Sequence, residues 1–356
     1  MKAQPGIVLL YVAAVVLAGV ATALATPLVR RLASHVGVLD QAGDRRMHAD
    51  PKPRIGGIAV FFGFAFALFA VLGFALLHPA LLYPAVASKV FAIKFDALGD
   101  QLQASHNLVG LLSGSMLILG VGVWDDIMGM RPRNKFIAQI VVALISMLYG
   151  FIIPGVANPF DHDPHTNWIA FPIWASVPLT LFWYVAMMNA INFIDGLDGL
   201  LSGVAAISCA SIFVISVVHG DPVVALIVAS LAGAALGFLP YNFNPAKIIL
   251  GDAGSLFIGY VFATISMIGA SKSAVAIGLL VPLVVLALPI LDTFFAIARR
   301  ALSGKRITEA DRGHFHHQLI FRFGMNVRQA VLLIYGVCIA LGVAALIVSG
   351  TIHIKL

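Results

Sequence analysis

A chain of 356 residues that is 60% hydrophobic and only 11% charged, with a mean hydropathy of +0.99, falls outside the soluble and the disordered classes. Cys209 and Cys338, its two cysteines, lie inside apolar runs, which excludes a disulfide framework and a thiolate metal site. The formal net charge of +6 matters less than where the charges stand.

Apolar runs recur near 6–30, 55–77, 107–124, 136–153, 169–189, 200–218, 223–239, 254–270, 274–298 and 329–350. Each has the roughly 17–25 residues that cross about 30 Å of hydrocarbon. They predict an all-α polytopic membrane helix bundle of about ten transmembrane helices, a single integral-membrane domain over 1–356. The count holds to within one, since 78–106 and 154–168 have room for short helices. The first run, Gly6–Val29, has no small-residue cleavage site followed by a soluble domain and reads as a retained helix. Alternate threading gathers the loops around 31–54, 125–135, 190–199, 240–253 and 299–328 on one side. With the adjoining helix ends they hold 17 of the 22 Lys and Arg residues, against five on the other side. The positive-inside rule makes the basic side cytoplasmic and puts both termini outside.

In chain order, the first basic loop runs Asp44-Arg45-Arg46-Met47-His48-Ala49-Asp50-Pro51-Lys52-Pro53-Arg54-Ile55-Gly56-Gly57. Paired glycines at a helix start allow an anion to approach free backbone N–H groups. With His48, they point to a phosphate or lipid-headgroup contact. The third run ends in Asp125-Asp126, followed by Arg131, Arg133 and Lys135. Adjacent carboxylates repel, so a divalent metal or a basic residue must stand near them, and Arg131 is one candidate partner.

Residues 189–199, Asn-Ala-Ile-Asn-Phe-Ile-Asp-Gly-Leu-Asp-Gly, place Asn189, Asn192, Asp195 and Asp198 between two apolar runs. Lipid tolerates neither free carboxylates nor unpaired amides, so such a cluster is a functional-site candidate; the alternative is a polar loop with turn glycines. Gly251-Asp252-Ala253-Gly254-Ser255 sets another carboxylate at a helix start and lacks the Gly-Lys-Ser/Thr ending of a Walker loop. Asp252 can equally be an N-cap. Pro289 predicts a kink in the ninth run, and Asp292 precedes Arg299-Arg300. Three histidines then fall within His314-Phe315-His316-His317. With acid-rich loops and no cysteine nearby, they suit phosphate binding or proton handling better than metal ligation.

All these groups fall on the one side set by the cation count alone. Carboxylates and amide oxygens are hard ligands for Mg²⁺ or Mn²⁺, and Arg, Lys and His suit phosphate oxygens. That combination predicts phosphoryl transfer, in which positioning and charge neutralisation do most of the catalysis. A site at the membrane face implies one lipid substrate and one soluble cytosolic substrate.

Asp125-Asp126, the 189–199 stretch, Gly251-Asp252-Ala253-Gly254-Ser255-Leu256 and His314-Phe315-His316-His317 occur here in order. Together they resemble the polyprenyl-phosphate N-acetylhexosamine-1-phosphate transferase family, over most of the chain from His48 to His317. The resemblance implies a membrane bundle of ten or eleven helices, often dimeric. It implies Mg²⁺-dependent transfer of a sugar-1-phosphate from a UDP-sugar to undecaprenyl phosphate, with release of UMP. The last loop resembles the UDP-N-acetylglucosamine branch, which starts O-antigen, common antigen or teichoic acid chains. The alternative is the phospho-MurNAc-pentapeptide branch, which usually has a longer histidine motif with a proline. Expected partners are UDP-N-acetylglucosamine, undecaprenyl phosphate and membrane lipids, with no nucleic acid, and a homodimer fits the family habit. The expected location is the bacterial cytoplasmic (inner) membrane, with the active site facing the cytoplasm.

The resemblance assigns Asp252 as the principal Mg²⁺ ligand, with Mn²⁺ a substitute, and Asn192 as a second ligand. Asp125 would orient or deprotonate the lipid phosphate, supported by Asp126. Asn189, Asp195 and Asp198 would surround nucleotide and metal, with Lys135 near the phosphates. His48 would meet phosphate, and Arg299, Arg300, His314, His316 and His317 would hold sugar and diphosphate. Two rivals remain: a secondary transporter, which would place its acids near the bilayer midplane, and a polyprenyl-pyrophosphate phosphatase.

Overall fold

The computed structural model describes residues 5–40, 51–77, 98–157, 168–270 and 315–352, together with residues 287, 291 and 295. Ten helices lie among these residues: α1 (Pro5–Val36), α2 (Gly57–Leu77), α3 (Leu98–Met128), α4 (Pro132–Leu148), α5 (Ile173–Ile194), α6 (Leu200–Val218), α7 (Pro222–Asn242), α8 (Gly251–Ala270), α9 (Phe315–Phe321) and α10 (Val327–Val348). All except α4 and α9 are long and apolar enough to cross a membrane, eight in total among the described residues. The protein is an all-α polytopic membrane protein. Of the predicted ninth span, 274–298, only residues 287, 291 and 295 are described, and each is helical.

Local chemistry fixes the helix ends. Pro132 opens α4, where its missing N–H is not needed. Asp221 caps α7 by accepting from the Val224 N–H, with Pro222 next. Asn326 and Gln329 close a reciprocal capping box on α10. The helix predicted from 136 to 153 instead ends at Leu148. Gly150, with φ of 85°, turns the chain into a short antiparallel ladder of β3 (Gly155–Ala157) and β4 (Trp168–Ala170).

Lipid gives no hydrophobic drive between helices, so close contact rests on small residues. α1 packs on α7 and α2. At the α1–α7 crossing, a Cβ on Gly233 would stand 2.2 Å from the Val15 carbonyl. Val8, Val12, Val16, Leu24 and Leu28 of α1 point outward, as lipid-facing residues should. α8 is the opposite case. Surrounded by α2, α3 and α5, it is almost entirely buried and forms the axis of the bundle.

The connections at one end of this axis carry the polar residues. α1 leads into β1 (Leu39–Asp40) and β2 (Lys52–Pro53), which pair antiparallel ahead of α2. The ends of α3, α5 and α7 and the starts of α4, α6, α8 and α10 meet there too.

Candidate active site

Asp252 lies in the first turn of α8. Its Oδ1 accepts a hydrogen bond from Asn192 Nδ2 at 2.5 Å, and its Oδ2 lies 3.0 Å from Lys135 Nζ. The Asn192 amide also donates to Ser255 Oγ at 2.7 Å, which leaves its Oδ1 as a hard donor atom. Lys135 Nζ reaches Asp125 Oδ2 at 2.9 Å as well, so one ammonium bridges two carboxylates from different helices. The other Asp125 oxygen accepts from the Met130 N–H at 2.7 Å. Burial would lower the Lys135 pKa, but the charges of Asp252 and Asp125 more than offset it and the net shift is upward.

The neighbouring Asp126 diverges from Asp125. Its oxygens accept from the backbone N–H groups of Asp252 and Ala253, each at 3.0 Å, and Arg54 Nη2 lies 3.1 Å away. The required cations are therefore Lys135 and Arg54; among the described residues, Arg131 makes no ion pair with either Asp. Asp195 follows the end of α5. Burial, then the charges of Asp252 and Asp126, pushes its carboxyl up to about 8, with Arg54 opposing. The Asp195 N–H donates to the Asn192 carbonyl at 3.3 Å, and among the described residues its carboxyl makes no hydrogen bond or ion pair.

Asp198 is fully enclosed. Its Oδ2 receives Lys52 Nζ at 2.9 Å, the Ala246 N–H at 2.9 Å and Asn244 Nδ2 at 3.1 Å. Arg328 Nε on α10 in turn donates to the Asn244 carbonyl at 3.0 Å. Asn189 donates to Gln139 Oε1 at 2.7 Å and to the Val185 carbonyl at 2.8 Å, one turn deeper than Lys135 along α4.

Asp125, Asp126, Lys135, Asn189, Asn192, Asp195, Asp198 and Asp252 thus gather at one end of the bundle, from three connections far apart in the chain. His48, Arg299, Arg300 and His314, with Pro289 and Asp292, lie outside the described residues. His316 and His317 fall in α9. The Gly56-Gly57 expectation needs correction. Their N–H groups are not free for an anion, because they donate to the Ile249 and Leu250 carbonyls at 3.0 and 2.8 Å. A Cβ on Gly57 would stand 2.1 Å from Gly254 N, so the pair serves helix contact. The specific roles of Arg54, Lys52, Gln139, Ser255 and Asn244 escaped the sequence reading. Gln139 carried a usable signal, a polar residue four positions after Lys135 in an apolar run.

The donor set can be tested against a divalent cation. Among the described residues, no three His, Cys, Asp or Glu side chains converge as a closed metal cage. Mg²⁺ does not need one, since it typically takes one or two carboxylates plus substrate phosphates and waters. Asp252 and the Asn192 oxygen fit that pattern. Hard oxygen donors and two cations at one end of an apolar bundle are the groups that a membrane-embedded phosphotransferase needs.

Known proteins lead to the same class. The glycosyl transferase family 4 description matches residues 108–270, which hold Asp125, Asp126, Lys135, Gln139, Asn189, Asn192, Asp195, Asp198 and Asp252. A Bacillus subtilis protein described as a probable undecaprenyl-phosphate N-acetylglucosaminyl 1-phosphate transferase is 32% identical over 337 residues, 93% of this chain and 83% of the relative. A Mycobacterium tuberculosis decaprenyl-phosphate N-acetylglucosaminephosphotransferase is 34% identical over 339 residues, 89% of this chain and 77% of its own. A Staphylococcus aureus phospho-N-acetylmuramoyl-pentapeptide-transferase is more distant, 29% identical over 301 residues, 83% of this chain and 85% of its own. The chain belongs to glycosyl transferase family 4, among the polyprenyl-phosphate N-acetylhexosamine-1-phosphate transferases.

Proposed function

We propose that this protein transfers N-acetylglucosamine-1-phosphate from UDP-N-acetylglucosamine to undecaprenyl phosphate. A lipid phosphate oxygen forms a bond to the sugar-bearing phosphorus. The bond from that phosphorus to the bridging oxygen breaks, giving undecaprenyl-diphosphate-GlcNAc and UMP. The single observation that carries this reading is the Lys135 ammonium shared by Asp125 and Asp252, 2.9 and 3.0 Å away. It joins an acid at the end of α3 to an acid at the start of α8, a spacing suited to an attacking phosphate beside a bound diphosphate.

Asp252 and Asn192 would hold Mg²⁺, which when bound neutralises phosphate charge as the transfer proceeds. Asp125 orients the lipid phosphate and accepts its proton if one is present. The second pKa of a phosphate monoester is about 6, so positioning contributes more than base strength. Lys135 neutralises the two acids before substrates arrive and faces phosphate oxygens once they do. The asymmetry of 17 cations to five supports a cytoplasmic site in the bacterial inner membrane, where the product starts a cell-envelope polysaccharide.

The test is transfer of radiolabelled GlcNAc-1-phosphate to undecaprenyl phosphate in purified membranes, with and without EDTA. UDP-MurNAc-pentapeptide serves as competing donor. Labelled lipid that disappears on chelation supports the reading, and product from the competing donor alone overturns the substrate assignment.

A further inference from the structure

We infer that Arg54 and Asp126 form a positioning pair that fixes the first turn of α8, and through it the Asp252 carboxylate, without touching substrate. The inference deepens the reading of Asp252 given above and rests on it. Adjacent residues on an α-helix point about 100° apart, so Asp125 and Asp126 cannot both face one ligand. Asp125 faces Lys135. Asp126 faces the start of α8, its side chain fully buried, with each oxygen accepting from a different backbone N–H of the first turn.

A helix start leaves four N–H groups without intrahelical partners and carries partial positive charge. The Asp126 carboxylate satisfies two of those groups from another helix. Two glycines make room for it. Gly251 has φ of 75°, and a Cβ there would stand 2.4 Å from Asp126 Oδ2. One turn before Asp126, a Cβ on Gly122 would stand 2.4 Å from Ala253 Cα. The crossing of α3 and α8 thus has no room for a side chain at either glycine.

Arg54 closes the arrangement from a third direction. Its guanidinium lies 3.1 Å from Asp126 and 3.6 Å from Asp40. The backbone around it is tied down on both sides: the Arg54 N–H donates to the Val38 carbonyl, the Ile249 N–H to the Pro53 carbonyl, and the Gly56 N–H to the Ile249 carbonyl. Ile55 between them has φ of 64°, a conformation that β-branched residues hold only where their surroundings impose it. The segment before α2 is thus built to hold one guanidinium between the Asp126 and Asp40 carboxylates, closer to Asp126. The backbone N–H of Asp252 itself donates to the Asp126 carboxylate, so loosening Asp126 shifts the residue that holds the reaction's charge.

The test uses purified full-length enzyme in detergent, with Asp126→Asn, Arg54→Gln and the milder Arg54→Lys. Displacements near 1 Å cost up to about 100-fold, so the first two variants should lose about 10- to 100-fold in kcat while both KM values stay within about twofold. Mn²⁺ binding followed by electron paramagnetic resonance should weaken about tenfold or more, as for other residues that orient a ligand. Hydrogen–deuterium exchange should accelerate in a peptide covering 250–256 and not in one covering 132–148. Arg54→Lys, which keeps the charge, should fall between wild type and Arg54→Gln in all three. Unchanged exchange at 250–256 together with a raised KM for the lipid phosphate would overturn the inference and make Asp126 a substrate contact. Failure of the wild type to show metal-dependent transfer would instead strike the reading of Asp252, while the exchange result would still decide whether Asp126 holds α8.

Discussion

Lys135 Nζ stands 3.0 Å from Asp252 Oδ2, joining the first turns of α4 and α8 across the mouth of the bundle. The same ammonium reaches Asp125, so its removal leaves two carboxylates facing each other with nothing between them.

Lys135→Met is therefore expected to damage both activity and folding. Breaking a largely buried ion pair by deleting one partner costs about 3–5 kcal/mol. The melting temperature in EDTA should fall, and millimolar Mg²⁺ should restore more of it than in the wild type, because a cation then replaces the missing ammonium. Equal Mg²⁺ stabilisation of both proteins would count against a cation site at Asp252.

Asn192→Ala removes the donor to Asp252 Oδ1 and the proposed second ligand. The Mg²⁺ concentration for half-maximal transfer should rise about 10- to 100-fold, with partial recovery of kcat at high Mg²⁺. A magnesium titration of the variant is sufficient to check this.

Asp195 yields a pH prediction. Its carboxyl is pushed up to about 8, far above the ordinary carboxylate value of about 4. The folded state thus binds this proton more tightly than the unfolded chain does. The stabilisation is fully present below the unfolded value and is lost as pH rises through 8. In EDTA, wild-type thermal stability should decline from pH 5 toward pH 9, and Asp195→Asn should flatten that decline. Parallel pH profiles for the two proteins would refute it.

Glycine contacts at the site offer a mutational check on packing. A Cβ on Gly57 would collide with the backbone of Gly254, which has no side chain that can move aside. Gly57→Ala should destabilise by about 1–3 kcal/mol, typical of overpacking, and lower transfer because the first turn of α8 must shift. Gly73→Ala, where nothing lies within 4 Å, is the control and should leave the melting temperature unchanged.

The helices were legible because an apolar run of bilayer length is a local property, and the acids stood out because lipid makes them anomalous. The grouping of Asp125, the 189–199 stretch and Asp252 at one end was also readable, through the alternation of spans and the distribution of cations. Pairing was not. Nothing local distinguishes Arg54 from Arg131 as the partner of Asp126, since that choice depends on how β2 docks against Ile249. Gly56-Gly57 were misread for the same reason, as the carbonyls that take their N–H groups come from residues far along the chain. Asp198, which the resemblance puts around nucleotide and metal, accepts from Lys52, Asn244 and Ala246, partners on two distant loops that no local pattern announces.

The burial of α8 has a mechanical consequence. The outer helices feel changes in bilayer thickness, tension and lipid composition directly. α8 meets them only through its neighbours, and its first turn is anchored to α2 and α3 by backbone contacts and a carboxylate. An enzyme that draws a substrate from a fluid film thereby keeps its central acid on a helix insulated from that film, and membrane strain reaches the chemistry last.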